Sequence, residues 1–155
     1  MIIQRKLDIS TVTTGLVCHG VNCLSVMGAG VALAIAIKWP NVNTAYRALF
    51  SRPVQSELLG TVQFVDVDIL LTVANCFTQI YTGFDTNGNP PANIDAIRKT
   101  LEECVKWCND HDEDMYTPLI GCGLGGLSWE SEVKAIYEDV HEGLNDNLTW
   151  TICVL

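Results

Sequence analysis

Two segments of the chain repeat one local plan, and that plan restricts the fold more than any other feature. GLVCHG, residues 15–20, is an apolar run closed by glycines; polar VNCLSV follows, then MGAG, then apolar VALAIAIKW. MYTPLI, residues 115–120, runs likewise into GCGLGG and then into a helical pattern over 129–144. Each reads as a buried strand, a glycine turn and a helix. Further strands are predicted at 2–6, 61–67, 69–77 and 149–154. Helices are predicted at 29–39, buried on most sides, at 41–52 after Pro40, and from an Asn93 cap to about 109. Residues 82–91, TGFDTNGNPP, form the clearest loop. Strands alternating with helices predict an α/β protein with a largely parallel sheet between helices. The 155 residues, 1–155, suit one domain, and no repeat or linker divides them.

Charge and cysteines narrow the function. Nine Lys and Arg stand against 18 Asp and Glu, a formal net charge of −9. Such a chain repels nucleic acid and anionic membrane at long range, so no nucleic-acid groove and no membrane partner are expected. A phosphorylated ligand would need local compensation from backbone N–H groups. The apolar run after Gly28 ends at Lys38, too short to span a bilayer, and MIIQRKLDIS carries no signal-peptide pattern. Seven cysteines, an odd number without CxxC, point to a reducing compartment and a cytoplasmic location. Cys104 and Cys108 share a helical face, but two sulfurs with no third ligand make a poor zinc site; no metal and no cofactor are expected.

The two glycine loops carry the candidate site. Helix N-termini expose N–H groups and partial positive charge, and glycine lets a backbone approach an anion closely. Both loops follow strands, so both can face the crevice at the carboxyl end of a sheet. Neither is GxGxxG or a P-loop, which sets aside the Rossmann and P-loop classes.

With LDIS at 7–10, CHGVNC at 18–23, MGAGVALAIAIKWP at 27–40, VANCFTQ at 73–79 and PLIGCGLGGLSWE at 118–130, the chain resembles the macro domain over nearly its whole length. It is most similar to the branch that acts on ADP-ribose-1''-phosphate. The resemblance implies a three-layer α/β/α fold with a mixed, largely parallel sheet. It also implies ADP-ribose or ADP-ribose-1''-phosphate as partner, a monomer, and phosphatase activity releasing ADP-ribose and phosphate. A binding module without catalysis, and a hydrolase of ADP-ribosylated protein or nucleic acid, are the alternatives. Asp8 would accept from the adenine amino group, beside Ile9, and Asn22 would bond the distal ribose. Met27, Gly28, Ala29, Gly30 and Val31 would lie near the diphosphate, with Gly121, Cys122, Gly123, Leu124, Gly125 and Gly126 closing from the other side. Phe77, Thr78 and Gln79 would line the crevice. Related glycohydrolases place a Lys and an Asp where this chain has Gln79 and Gly125, so their reaction route is not expected.

For catalysis the candidates are His19, Asn75 and Asp85. His19, at a strand end, titrates near neutrality and suits proton transfer; it equally suits a buried role that orders the loop. Asn75 would position substrate or water, or tie off its strand. Asp85 would swing over the site as a base, or serve as a turn residue. Cys23 and Cys122 read as packing residues, since a reactive thiol needs an electropositive setting.

Overall fold

The computed structural model describes all 155 residues. Six strands form one sheet in the order β1-β6-β5-β2-β4-β3: β1 (Ile2–Lys6), β2 (Gly15–Val21), β3 (Val62–Asp66), β4 (Leu71–Phe77), β5 (Met115–Thr117) and β6 (Trp150–Val154). All neighbouring pairs are parallel except β3 with β4. The antiparallel edge arises from a tight turn, where Asp68 Oδ1 accepts the N–H groups of Leu70 (2.7 Å) and Leu71 (3.0 Å). That turn starts β4 at Leu71, two residues later than the apolar run suggests.

Strand alternation divides two cores. Leu16, Cys18, Ala74 and Cys76 face helices α3 (Ile94–His111) and α4 (Lys134–His141). Val17, Val21, Val73 and Phe77 face α1 (Gly30–Lys38) and α2 (Pro40–Ala48). The result is three layers, helices on both faces of a mixed sheet. Helix α3 forms where expected: Asn93 accepts the N–H of Ala96 at 2.9 Å, and Ile97, Leu101, Cys104, Val105 and Cys108 are buried at helical spacing.

Three expectations are corrected. Helix α1 is not buried on most sides: only Ile35 is fully enclosed, and Ile37 is 72% exposed. Its apolar composition hid a one-sided burial. Helix α2 stops at Ala48 rather than near 52, because the Gln55 side chain takes the N–H of Ser51 and draws the chain away. The last helix, expected over 129–144, ends at His141 and opens with a π-helical turn, Trp129–Val133, in which Val133 donates to Ser128 O at 3.1 Å.

Replacing the α3 cap, Asn93→Ala, is expected to lower unfolding free energy by about 1 kcal/mol, read from urea denaturation.

Candidate functional site

The parallel strands deliver their carboxyl ends to one edge of the sheet. The loops after β2, β4 and β5 leave side by side there. At the end of β2, a methyl placed on Gly20 would meet Thr78 Oγ1 of the β4 loop at 2.7 Å and Ile120 Cγ2 of the β5 loop at 3.2 Å. The two glycine loops themselves meet further out, where the same construction on Gly30 reaches Leu124 Cδ1 at 4.0 Å. The polar loop joins them: Phe84 and Pro90 sit where a side chain on Gly126 would go. Ala92 donates to Gly125 O at 3.2 Å.

This arrangement exposes a set of backbone donors. The N–H groups of residues 27–32 have no acceptor within the protein, and neither have those of Gly121, Gly123, Leu124 and Gly125. The first set ends at the N-terminus of α1, whose Ala29 cap makes no side-chain bond and whose Gly30 has φ +58°. Gly125 is buried, so its free N–H would cost about 1–3 kcal/mol without an acceptor. The second loop needs glycine for space: a methyl on Gly125 would lie 2.7 Å from Gly121 Cα. Two sets of unpaired donors on loops that approach each other at Gly30 and Leu124 suit a ligand carrying neighbouring negative charges.

Asp8 follows β1 on the same edge. Its Oδ1 accepts from the N–H (2.9 Å) and hydroxyl (2.8 Å) of Ser10, leaving Oδ2 as a free acceptor. The Ser10 hydroxyl, then its N–H, hold the carboxyl below its usual range, and Lys38 at the C-terminal end of α1 adds to this. Ile9 beside it is buried against the α1–α2 layer.

Several side chains lie elsewhere than expected. His19 does not face the crevice. It shares its strand face with Val17 and Val21, is fully buried under α1 and α2, and stands 2.6 Å from Asn75 Oδ1 through Nε2. Asn75 Nδ2 donates to Gln63 Oε1 (3.0 Å), and Gln63 Nε2 to Ala45 O (2.9 Å). This donor order puts the His19 proton on Nε2 and leaves Nδ1 without a partner. Burial depresses the His19 pKa to about 4 despite the Asn75 bond. His19 and Asn75 are thus brought together, but as a cross-strand polar ladder inside the core.

Asp85 is not poised as a base. Oδ1 accepts from the N–H groups of Asn87 (2.8 Å) and Asn89 (2.9 Å), and Oδ2 from Asn89 Nδ2 (3.0 Å). These bonds, those of Asn89 foremost, hold its pKa below the usual value. Asn22 does not present its amide to a ribose: Nδ2 donates to Val26 O, while Oδ1 accepts from Leu24 N–H and stands 2.8 Å from Tyr46 Oη. Phe77 does not line the crevice either; it is wholly buried, stacked on Tyr46. Thr78 and the Met27 side chain are buried, and Gln79 Nε2 donates to Tyr81 O within its own loop. Burial, then Glu132, pushes the Cys122 thiol to about 11; burial, then Glu57, does the same for Cys23. No group of three or more His, Cys, Asp or Glu is arranged to hold a metal ion.

Two residues escaped sequence reasoning. Tyr46 of α2 and Tyr137 of α4 are fully buried, and their hydroxyls reach the first and second glycine loops. The available signal was a tyrosine on the inward stripe of each helix, since a buried hydroxyl must find partners.

The three layers, with two glycine loops at the strand ends, define an α/β domain of the α/β/α class. A family model for the macro domain matches residues 18–136, well over half the chain, and the protein belongs to that family. Among solved structures it is similar to a Bacteroides thetaiotaomicron protein of unknown function, at 30% identity and TM-score 0.84, covering 99% of this chain and 98% of that one. It is also similar to the macrodomain of Mycobacterium tuberculosis DarG, at 24% identity and TM-score 0.82, over 100% and 99% of the two chains. A third likeness is to Thermosipho africanus DarTG in complex with ADP-ribose, at 17% identity and TM-score 0.76, over 99% of this chain and 42% of that one. The last two bear on the fold alone. No curated protein sequence matches.

Buried, neutral His19 sets a pH dependence. Its folded pKa, about 4, lies below the ordinary 6.5, so between these values the unfolded chain binds a proton that the native one does not. Stability is expected to be level above 6.5 and to fall towards pH 4, by on the order of 3 kcal/mol in total. Urea unfolding across this range checks it, and His19→Gln should flatten the dependence.

Proposed function

We propose that the crevice binds ADP-ribose, with the diphosphate between the two glycine loops and the adenine towards Asp8. The observation that carries this is the paired set of free N–H groups at 27–32 and at Gly121, Gly123, Leu124 and Gly125. Glycine amides and the α1 dipole supply positive potential where the chain as a whole, at −9, would repel a diphosphate. Asp8 Oδ2, with Oδ1 taken by Ser10, is an acceptor that can take a hydrogen bond from an exocyclic amino group. Thermosipho africanus DarTG, which contains the same fold, was solved in complex with ADP-ribose, and that agrees with this choice of ligand.

Release of phosphate from ADP-ribose-1''-phosphate is the sharper form of this reading. Amides that hold a diphosphate can also stabilise charge growing on a terminal phosphate. His19 and Asn75 are enclosed and Asp85 is tied into its turn, so on this reading the rate comes from binding and amide stabilisation, and turnover is slow.

Calorimetry with ADP-ribose and phosphate release from ADP-ribose-1''-phosphate, on one sample, test both levels. Binding is expected, and Gly125→Ala should weaken it at least about tenfold by forcing the loop open. Any phosphate release should survive His19→Gln. Binding without release would make the domain a reader. No binding would remove the proposal.

A further inference from the structure

We propose that Tyr46 and Tyr137 are positioning residues, each holding one glycine loop in the conformation that turns its N–H groups into the crevice. The proposal takes its ligand from the ADP-ribose reading.

The two residues do the same work from opposite faces of the sheet. Tyr46 comes from α2, with its ring packed edge-on against Phe50 (5.2 Å) and stacked on Phe77 (5.8 Å). Its hydroxyl lies 2.9 Å from Asn22 O and 2.8 Å from Asn22 Oδ1, donates to Asn22, and accepts the N–H of Val26 at 3.1 Å. One oxygen therefore joins both ends of the turn 22–26. Ser25, inside that turn, has φ +64°, a left-handed conformation a serine adopts only when its surroundings hold it there. Asn22 Nδ2 holds Val26 from the other side by donating to its carbonyl at 2.9 Å. The free N–H run begins at the very next residue, Met27.

Tyr137 comes from α4, with its ring edge-on to Trp129 (4.8 Å) and tilted against Trp150 (4.9 Å). Its hydroxyl donates to Pro118 O at 2.5 Å and accepts the N–H of Ile120 at 3.0 Å. Again one oxygen joins the two ends of a turn, and the free donors begin at the next residue, Gly121. Burial pushes the Tyr46 hydroxyl to about 12 and that of Tyr137 well above its ordinary value, so both stay protonated and keep donating at neutral pH.

Phenylalanine would keep each ring's packing and remove only the bridge. The two bridges differ in surroundings. Val26 is 52% exposed, so its freed N–H can turn to water; Ile120 is buried, and its N–H cannot. Tyr137→Phe should therefore displace its loop more than Tyr46→Phe.

The experiment measures ADP-ribose affinity by calorimetry and residue-resolved amide hydrogen exchange in the wild type, Tyr46→Phe, Tyr137→Phe and Thr100→Val. Thr100 serves as a structural control, because its buried hydroxyl donates to Ala96 O and Ile97 O of α3 and faces the Cys76 thiol of β4, touching neither glycine loop. Affinity is expected to fall about tenfold in Tyr46→Phe and further in Tyr137→Phe. Exchange should quicken at the bonded amides Cys23, Leu24 and Val26 in the first variant and at Ile120, Cys122, Gly126 and Leu127 in the second, and not elsewhere. Thr100→Val should lose stability with affinity unchanged. Wild-type affinity in both phenylalanine variants, or exchange that quickens evenly across the sheet, would overturn the proposal. If the wild type binds no ADP-ribose, the functional reading fails, and the exchange pattern alone still decides whether the tyrosines hold the loops.

Discussion

The pairing of β2 with β4 on one side and β5 on the other decides where every loop of the crevice leaves the sheet. Parallel pairing forces the three carboxyl ends to one edge, whereas an antiparallel neighbour would send its loop to the opposite edge. Only β3 runs the other way, and it sits at the rim, beyond β4. Glycine then lets the loops come together: Gly20 admits Thr78 and Ile120, Gly126 admits Phe84, and Gly125 nearly touches Gly121. Any side chain at those positions would separate surfaces that must meet for the donors to converge.

A division of labour follows. Polar side chains near the crevice are largely occupied in building it. Asn22 ties its turn, Asp85 ties the polar loop, and His19, Asn75 and Gln63 run as a hydrogen-bonded ladder across three strands to the Ala45 carbonyl. On the proposed reading, recognition falls to the backbone, with Asp8 as the side-chain exception. An acidic chain can hold an anion in this way because N–H groups and a helix terminus present positive potential without lysine or arginine.

Much of this was legible in the residues. Apolar runs closed by glycine marked β2 and the loops, and Asn93 marked the start of α3. The macro-domain resemblance fitted the mixed three-layer sheet. The candidate chemistry was less legible, because it depended on strand phase. His19 is one residue from Gly20 at a strand end, yet alternation places it with Val17 and Val21 under the helices. Whether Asn22 faced a ligand or its own turn depended on Tyr46, which lies 24 residues away in sequence. The exposed side of α1 was hidden for a different reason: a helix of Ala, Ile, Leu and Val has no polar stripe to reveal which face meets water.

The central claim is that two backbone donor clusters act on one ligand. Titrating ¹⁵N-labelled protein with ADP-ribose and following amide chemical shifts tests it most directly. The expected result is that amides at 27–32 and 121–125 shift together along a single saturation curve, with residues around Asp8 following. Shifts confined to one loop, or gathered elsewhere on the surface, would contradict the account.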